Sequence, residues 1–336
     1  MSSSDLDVKQ RHHYVWANYL MRWGRGTKNV HYITEAGNFA HNSVRGIVVD
    51  DFFYKTTPLT DRHVEVIKGY SRMSPGHLHE QHMSYLNDFL AAQKVEAIYR
   101  ESGIQDQVLE RHLHALKCNL LENLHGSHER SALPLLAALA DEQLDVLQDK
   151  QNIIEFMMYF GHQLSRTKTF RDAVIQALPR RNAAEIELAD ATAHSWWFLS
   201  YMFGMSIGFS LFANRHRTRQ ALLVNNTGIP FITSDQPVIN VHKCVSETEF
   251  IEPKECDLYY PVSPRIAYII CESERFASGT NEVDEATVTE FNTKIAAQAK
   301  VHIIGDSKGA IVPFKKFIGR RYQKAHPDLA HMQLPQ

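Results

Sequence analysis

Two adjacent histidines near the start of the chain are the residues best suited to chemistry. Arg11, His12, His13 and Tyr14 are consecutive. Histidine titrates near neutral pH and ligates metals, and arginine pairs with phosphate. Apolar residues recur at helical spacing up to Trp23, which predicts that the histidines lie at the positive start of a helix, where anions are stabilised. Neighbours on a helix point about 100° apart, so one histidine packed inward and one facing solvent explains the pair without a site.

A carboxylate in a turn is the second candidate. Residues 228–238 form an apolar run followed by the polar turn Ser234-Asp235-Gln236-Pro237. Loops at strand ends often present reacting groups, so Asp235 is a candidate metal ligand or general base. An Asx-type turn between two strands explains the same Asp-x-Pro spacing without a function.

A basic cluster beside an amide is the third candidate. Gln163, Arg166, Lys168 and Arg171 lie on or just after a predicted long helix, and Gln163 is one turn before Arg166 on the same face. Arginine makes paired hydrogen bonds to phosphate. A solvated helix end favours basic residues equally well. Glu122, on another predicted helix, is a further candidate carboxylate.

The other histidine groups do not predict a zinc site. They lack both the His-Glu-x-x-His spacing and cysteine partners, and residues two apart on a helix face different ways. They are His77, His79, His82, His112, His114, His125 and His128.

Composition limits the class of protein. The net charge of -2 gives no global reason to expect nucleic acid or an anionic membrane as partner, so any anion site must be local. The four cysteines are widely spaced and the N-terminus is not signal-like, which predicts reduced thiols and a cytoplasmic location. Residues 196–213 carry no charge, but their glycines and serines favour a buried central helix over a membrane span.

The periodicity predicts one large α+β domain covering residues 1–336. Residues 9–56 are expected to form a helix and a strand pair, and 61–219 a large helical block with apolar residues three and four apart. Short β runs separated by turns predict a small C-terminal sheet with helices in 220–318, packed on the block. The tail 323–336 is expected to be loosely ordered.

The ordered set of motifs resembles a bacterial family known as domain of unknown function 4238. The resemblance rests on Arg-His-His-Tyr-Val at residues 11–15 with Tyr19-Leu20, on Gln163 to Thr167, on residues 234–238, and on Phe291-Asn292 before a late strand. Trp16 departs from the family, which has proline there. The likeness spans about residues 9–305 and implies no known reaction.

The resemblance implies that His12, His13, Gln163, Arg166, Asp235 and Asn292 converge. Because these candidates combine histidine, carboxylate and arginine side chains without any nucleophile motif, we expect a metal-assisted phosphodiester hydrolase, a nuclease-like effector of the toxin or phage-defence kind. His12, His13 and Asp235 would be catalytic, and a divalent metal would be held by these three and Glu122. The expected phosphate-binding residues are Arg11, Gln163, Arg166 and Asn292.

The alternative is a non-catalytic module that binds or senses a phosphate-bearing ligand or nucleic acid through the same groups. In either case the expected partner is a nucleic acid or nucleotide bound locally, and the sequence gives no oligomeric state.

Overall fold

Strands from both ends of the chain flank a central block of helices. The computed structural model describes residues 7–246 and 253–321. Within these residues it contains ten α-helices and three small sheets, so the predicted α+β class is confirmed. The predicted tail 323–336 lies outside the described residues.

The helices are concentrated in the middle of the chain. The predicted block 61–219 corresponds to the run from α2 to α8. The helices are α1 (Ala17–Leu20), α2 (Asp61–Ser71), α3 (Gly76–Glu101), α4 (Gln107–Ala140), α5 (Lys150–Ser165), α6 (Lys168–Ala177), α7 (Ala183–His194), α8 (Trp196–Asn214), α9 (Glu285–Gln298) and α10 (Lys308–Ile311).

The strands are short and lie on either side of the helical block. They are β1 (Arg11–His13), β2 (Asn29–Ile33), β3 (Phe39–Ser43), β4 (Val49–Asp51), β5 (Arg219–Val224), β6 (Thr233–Ser234), β7 (Ile239–Asn240), β8 (Asp257–Pro261), β9 (Ile266–Cys271), β10 (Gly279–Glu282) and β11 (Ile303–Gly305).

The prediction that the two histidines begin a helix is wrong. They lie in β1, which pairs antiparallel with β4 so that His12 opposes Asp50 and His13 opposes Val49. The helix begins only at Ala17, after an extended Trp16. Because residues alternate sides along a strand, His12 and His13 point to opposite faces.

One sheet joins the two ends of the chain. Its strand order is β3-β2-β11-β6, so the N-terminal hairpin pairs with the late strand β11. The other large sheet, β10-β5-β9-β8-β7, has one parallel pair, β10 with β5. The middle strand β9 is buried at every position and its sheet packs against α9, which explains the apolar run Ile266–Cys271.

Helix α8 packs closely along α5. Among the described residues it is the one helix long and apolar enough to cross a membrane, and 56% of its most apolar window is buried inside the protein. Gly161 of α5 faces Gly204 and Gly208 of α8, and an added Cβ at Gly161 would lie 2.6 Å from the Gly208 backbone N. Glycine therefore permits this close approach of the two backbones.

We expect Gly161→Ala to destabilise the protein by about 1–3 kcal/mol, because the new methyl group meets backbone atoms that a rotamer change cannot move. Gly69→Ala is the matched control, since nothing lies within 4 Å of a Cβ at Gly69. Helix propensity predicts that this control stabilises α2 by up to about 1 kcal/mol. Urea unfolding measures the change in unfolding free energy for both variants. Equal changes for Gly161→Ala and Gly69→Ala would contradict the close approach of α5 and α8.

Candidate functional site

Arg166 connects the N-terminal strand to the helical block. It follows the last residue of α5 and is only 2% exposed. Its Nη2 donates to the His13 carbonyl at 2.8 Å, its Nε donates to the Tyr14 carbonyl at 3.3 Å, and its Nη1 pairs with the Glu129 Oε1 at 2.7 Å. The predicted convergence of the His-His segment with Arg166 therefore takes place through main-chain carbonyls.

Helix α4 supplies the acidic side of this site. Glu122, His125 and Glu129 are three and four residues apart, which places them on one face of the helix. Glu129 pairs with Arg166, and the Glu122 and Glu129 carboxylates both act electrostatically on the Arg166 guanidinium. The site is therefore built between β1, the end of α5 and one face of α4.

Three histidine rings and a tyrosine ring pack together beside Arg166. The His162 ring lies 4.5 Å from the His128 ring, 4.6 Å from the Tyr201 ring and 5.2 Å from the His125 ring, centroid to centroid. The Tyr54 ring lies 4.7 Å from His125. We call His125, His128 and His162 the histidine cluster. Its His162 packs against Gly204, where a side chain would overlap the imidazole.

Burial keeps these imidazoles neutral. Burial and the nearby Arg166 charge lower the pKa of His128 to about 4. Burial also lowers the pKa values of His125 and His162 well below the usual range, with Arg166 and the neighbouring histidines adding to the effect. The pKa of His13 falls to about 4 for the same two reasons, burial first and Arg166 second.

Burial has the opposite effect on the two carboxyl groups. It raises the pKa of Glu122 to about 7, although the Arg166 charge opposes the shift. It also raises the pKa of Glu129 against the same opposition. The pKa of Arg166 itself is lowered by burial but raised overall by Tyr54 and the two carboxylates, so it stays charged. The site therefore combines a cation, a carboxyl group that titrates near neutrality and neutral imidazoles.

Several buried polar atoms around Arg166 have no hydrogen-bond partner among the described residues. They are His13 Nε2, both ring nitrogens of His125 and of His162, and both amide atoms of Gln163. Most buried polar groups in proteins are hydrogen-bonded, because an unpaired group costs about 1–3 kcal/mol. A group of unpaired donors and acceptors in one place can bind water or a polar ligand.

His12 is held by the protein on both sides of its ring. Its Nε2 is 2.8 Å from the Lys9 carbonyl and therefore donates, which leaves Nδ1 to accept from the Tyr54 backbone N–H at 2.9 Å. The imidazole is buried, and burial lowers its pKa. His12 thus links the N-terminal strand to Tyr54, whereas Arg11 is exposed.

Asp235 lies in the neighbouring turn, and its carboxylate binds the main chain. Its oxygens accept the backbone N–H groups of three consecutive residues, Lys300, Val301 and His302, at 2.8, 2.7 and 2.9 Å. Burial raises the pKa of Asp235, and the three N–H groups oppose that shift. The carboxylate therefore fixes the start of β11.

The other predicted residues of the C-terminal part also bind the main chain. The Asn292 side chain accepts from the Ile232 N–H at 3.0 Å and donates to the Pro230 carbonyl at 2.9 Å. Next to Arg166, the Thr167 hydroxyl donates to the Gln236 amide oxygen. The turn thus meets the end of α5 through Thr167 and Gln236.

The four residues expected to hold a metal do not form one donor set. Among the described residues, no group of three or more histidine, cysteine, aspartate or glutamate side chains is arranged to hold a metal ion. Both His12 nitrogens and both Asp235 oxygens already bind the main chain. The other two of these four residues, His13 and Glu122, both lie close enough to Arg166 for its charge to shift their pKa values.

Sequence reasoning missed His162 and Glu129 and discounted His125 and His128. No short motif marks these residues, and His162 and α4 lie far apart in the chain. The spacing of Glu122, His125 and Glu129 was a usable signal, since it places three ionisable residues on one face of a helix whose neighbouring positions Leu121 and Ala132 are buried.

The fold is that of an α+β protein. Its candidate site is a largely buried cluster of histidine, carboxyl and arginine side chains where the N-terminal strand meets the helical block. The chain belongs to the family described as "Protein of unknown function (DUF4238)", whose model matches residues 11–309. The resemblance seen in the sequence is thus confirmed. No curated protein and no solved structure matches the chain.

Proposed function

We propose that the residues around Arg166 form the acid–base site of a hydrolase that acts on phosphodiesters. The observation that carries the proposal is the separation of pKa values, with Glu122 at about 7 and His13 at about 4. Titratable groups whose pKa values are pushed in opposite directions are typical of general acid–base pairs. At neutral pH His13 is an unprotonated base, and Glu122 is a partly protonated acid.

The surroundings of the site suit an anionic substrate. Lys9 acts electrostatically on Glu122, and Arg11 acts on His13. Glu122 and His13 are partly exposed, so solvent reaches this side of the site. The guanidinium of Arg166 is engaged by Glu129 and two carbonyls. Arg166 is therefore assigned as a positioning residue for the backbone of residues 13 and 14, and Lys9 and Arg11 attract the phosphate.

The proposed hydrolysis transfers one proton to His13 and one proton from Glu122. The neutral His13 imidazole takes a proton from a water molecule while the water oxygen forms a bond to phosphorus. The bond from phosphorus to the leaving oxygen breaks, and Glu122 gives its proton to that oxygen. Such positioned proton transfers contribute about 10²- to 10⁴-fold each.

We expect Glu122→Gln to lower kcat/KM for a phosphodiester by about 100-fold, because glutamine cannot give up a proton. In the unsubstituted protein, kcat/KM should rise as the pH increases through about 4, where His13 becomes neutral, and fall as it increases through about 7, where Glu122 loses its proton. Glu122→Gln should remove the alkaline limb.

Glu110→Gln on the same helix is the matched control, because Glu110 is exposed and pairs with Arg100 away from the site. The substrates are single-stranded RNA, single-stranded DNA and an activated diester. Each is assayed with Mg²⁺, with Mn²⁺ and with chelator, which also tests the expected divalent metal. An absence of turnover in every arm, or an unchanged pH profile in Glu122→Gln, would contradict the proposal.

A ligand-sensing role is the second candidate, and the unpaired nitrogens of His125 and His162 favour it because they lie deeper than Glu122. A nucleotide that raises the melting temperature without being consumed would support sensing over catalysis.

A further inference from the structure

A second polar region lies in the C-terminal part, away from Arg166. A cavity of about 230 Å³ is bordered by the segment after β7, by α9 and by the turn after α10. Its basic lining residues are Lys243, Lys294, Arg320 and Arg321, with His242 beside them. Among the described residues, none that lines this cavity is acidic. This contrasts with the net charge of -2 for the whole chain.

A larger cavity adjoins the first one. It measures about 710 Å³, and Thr293 and Phe317 line both cavities. Its basic lining residues are Arg25, Arg265 and Lys316, and its acidic residue is Asp306, which pairs with Arg25 at 3.0 Å. We call the two adjoining cavities the basic groove. Its cationic side chains come from distant parts of the chain, so the groove is a product of the fold.

An aromatic ring lies where the two cavities meet. Phe317 is partly exposed, and the Lys316 Nζ and the Arg320 guanidinium lie 5.1 and 4.6 Å from the centre of its ring. Grooves that bind single-stranded nucleic acids combine cations along the backbone with aromatic rings on which bases stack. A lone phosphate would need only one of the cavities, whereas a strand places phosphates along both.

Among the residues that the structure describes, acidic side chains near the groove pair with only some of its cations. Glu290 pairs with Lys294 at 2.7 Å, and Glu255 lies 3.0 Å from His242. Lys243 and Arg320 are exposed at the cavity, and no acidic partner is found for either within the described residues. These two side chains can therefore contact phosphate without breaking an ion pair.

We propose that the basic groove binds single-stranded nucleic acid through its phosphates, with Phe317 as a stacking surface. The proposal does not depend on hydrolysis at the site near Arg166, because binding is measured without turnover. Anionic vesicles are the competing polyanion.

The test is the fluorescence anisotropy of a labelled oligothymidine strand titrated with the full chain at about 50–200 mM salt. The double variant Lys243→Glu/Arg320→Glu should weaken binding roughly tenfold or more. It should also reduce the slope of log Kd against log salt concentration by about 1.4, since each phosphate contact to a single strand contributes about 0.7 to that slope. The strand length is checked by gel after each titration, so binding and cleavage are scored separately.

Arg72→Glu/Lys94→Glu is the matched control, because both residues are exposed, Arg72 directly after α2 and Lys94 on α3, and the two substitutions change the net charge by the same amount. This control should bind as the unsubstituted protein does. If the groove variant unfolds, Lys243→Ala/Arg320→Ala replaces it, with a smaller loss in the same direction. The proposal is overturned if the unsubstituted protein does not bind the strand, if the control loses as much affinity, or if phosphatidylserine vesicles bind as tightly through the same two residues.

Discussion

Replacing Arg166 with methionine is expected to destabilise the protein by about 3–5 kcal/mol. The substitution leaves the largely buried Glu129 carboxylate without its partner and the His13 and Tyr14 carbonyls without their donor. Removing one member of a buried ion pair costs about this much, because the other charge stays in a low-dielectric surrounding. Urea unfolding at pH 7.5 measures the change.

The double variant Arg166→Met/Glu129→Met distinguishes the lost pair from lost packing. It should recover at least half of the destabilisation, since no uncompensated carboxylate remains. Arg171→Met is the matched control, because Arg171 pairs with Asp172 where both side chains are partly exposed, and ion pairs that reach solvent contribute about 0–1 kcal/mol. A double variant as unstable as Arg166→Met would show that the Arg166–Glu129 pair is not the main interaction.

The contacts of Arg166 also show what the sequence could and could not predict. The long helices followed from apolar residues three and four apart, because α4 and α5 contain enough turns for a period to be visible. β1 has three residues, too few for any period, and its partner β4 lies more than thirty positions further along the chain. Pairing between distant segments decided its structure, so local spacing predicted a helix start instead.

The candidate site was predicted in part for a similar reason. The family motifs indicated that the His-His segment and Arg166 approach each other, and they do, but through the His13 carbonyl instead of an imidazole. A motif records residue types and cannot specify which atom makes a contact. The histidine cluster depends on how α4, α5 and α8 pack, and His162 fits there only because Gly204 leaves room for its ring. That packing is not a property of any one segment.

Asp235→Ala is expected to lower the free energy of unfolding by about 3–5 kcal/mol. The main effect of the substitution should therefore be on stability and not on a chemical step. Alanine leaves the backbone N–H groups of Lys300, Val301 and His302 without their acceptor, and each unpaired buried donor costs about 1–3 kcal/mol. The total is expected to be lower than the sum, because water reaches some of the freed groups. Asp235→Asn should fall between alanine and the unsubstituted protein, since one side-chain oxygen can still accept.

Asp149→Ala is the matched control for this carboxylate. Asp149 also accepts two backbone N–H groups, but at the exposed start of α5, where such caps contribute about 1 kcal/mol. In urea unfolding, the loss of unfolding free energy should therefore be at least about three times larger for Asp235→Ala than for Asp149→Ala. If Asp235→Ala were as stable as Asp149→Ala but had lost phosphodiester turnover, Asp235 would take part in the reaction, as the sequence motif suggested. The anchoring of β11 through three consecutive N–H groups favours the larger loss of stability.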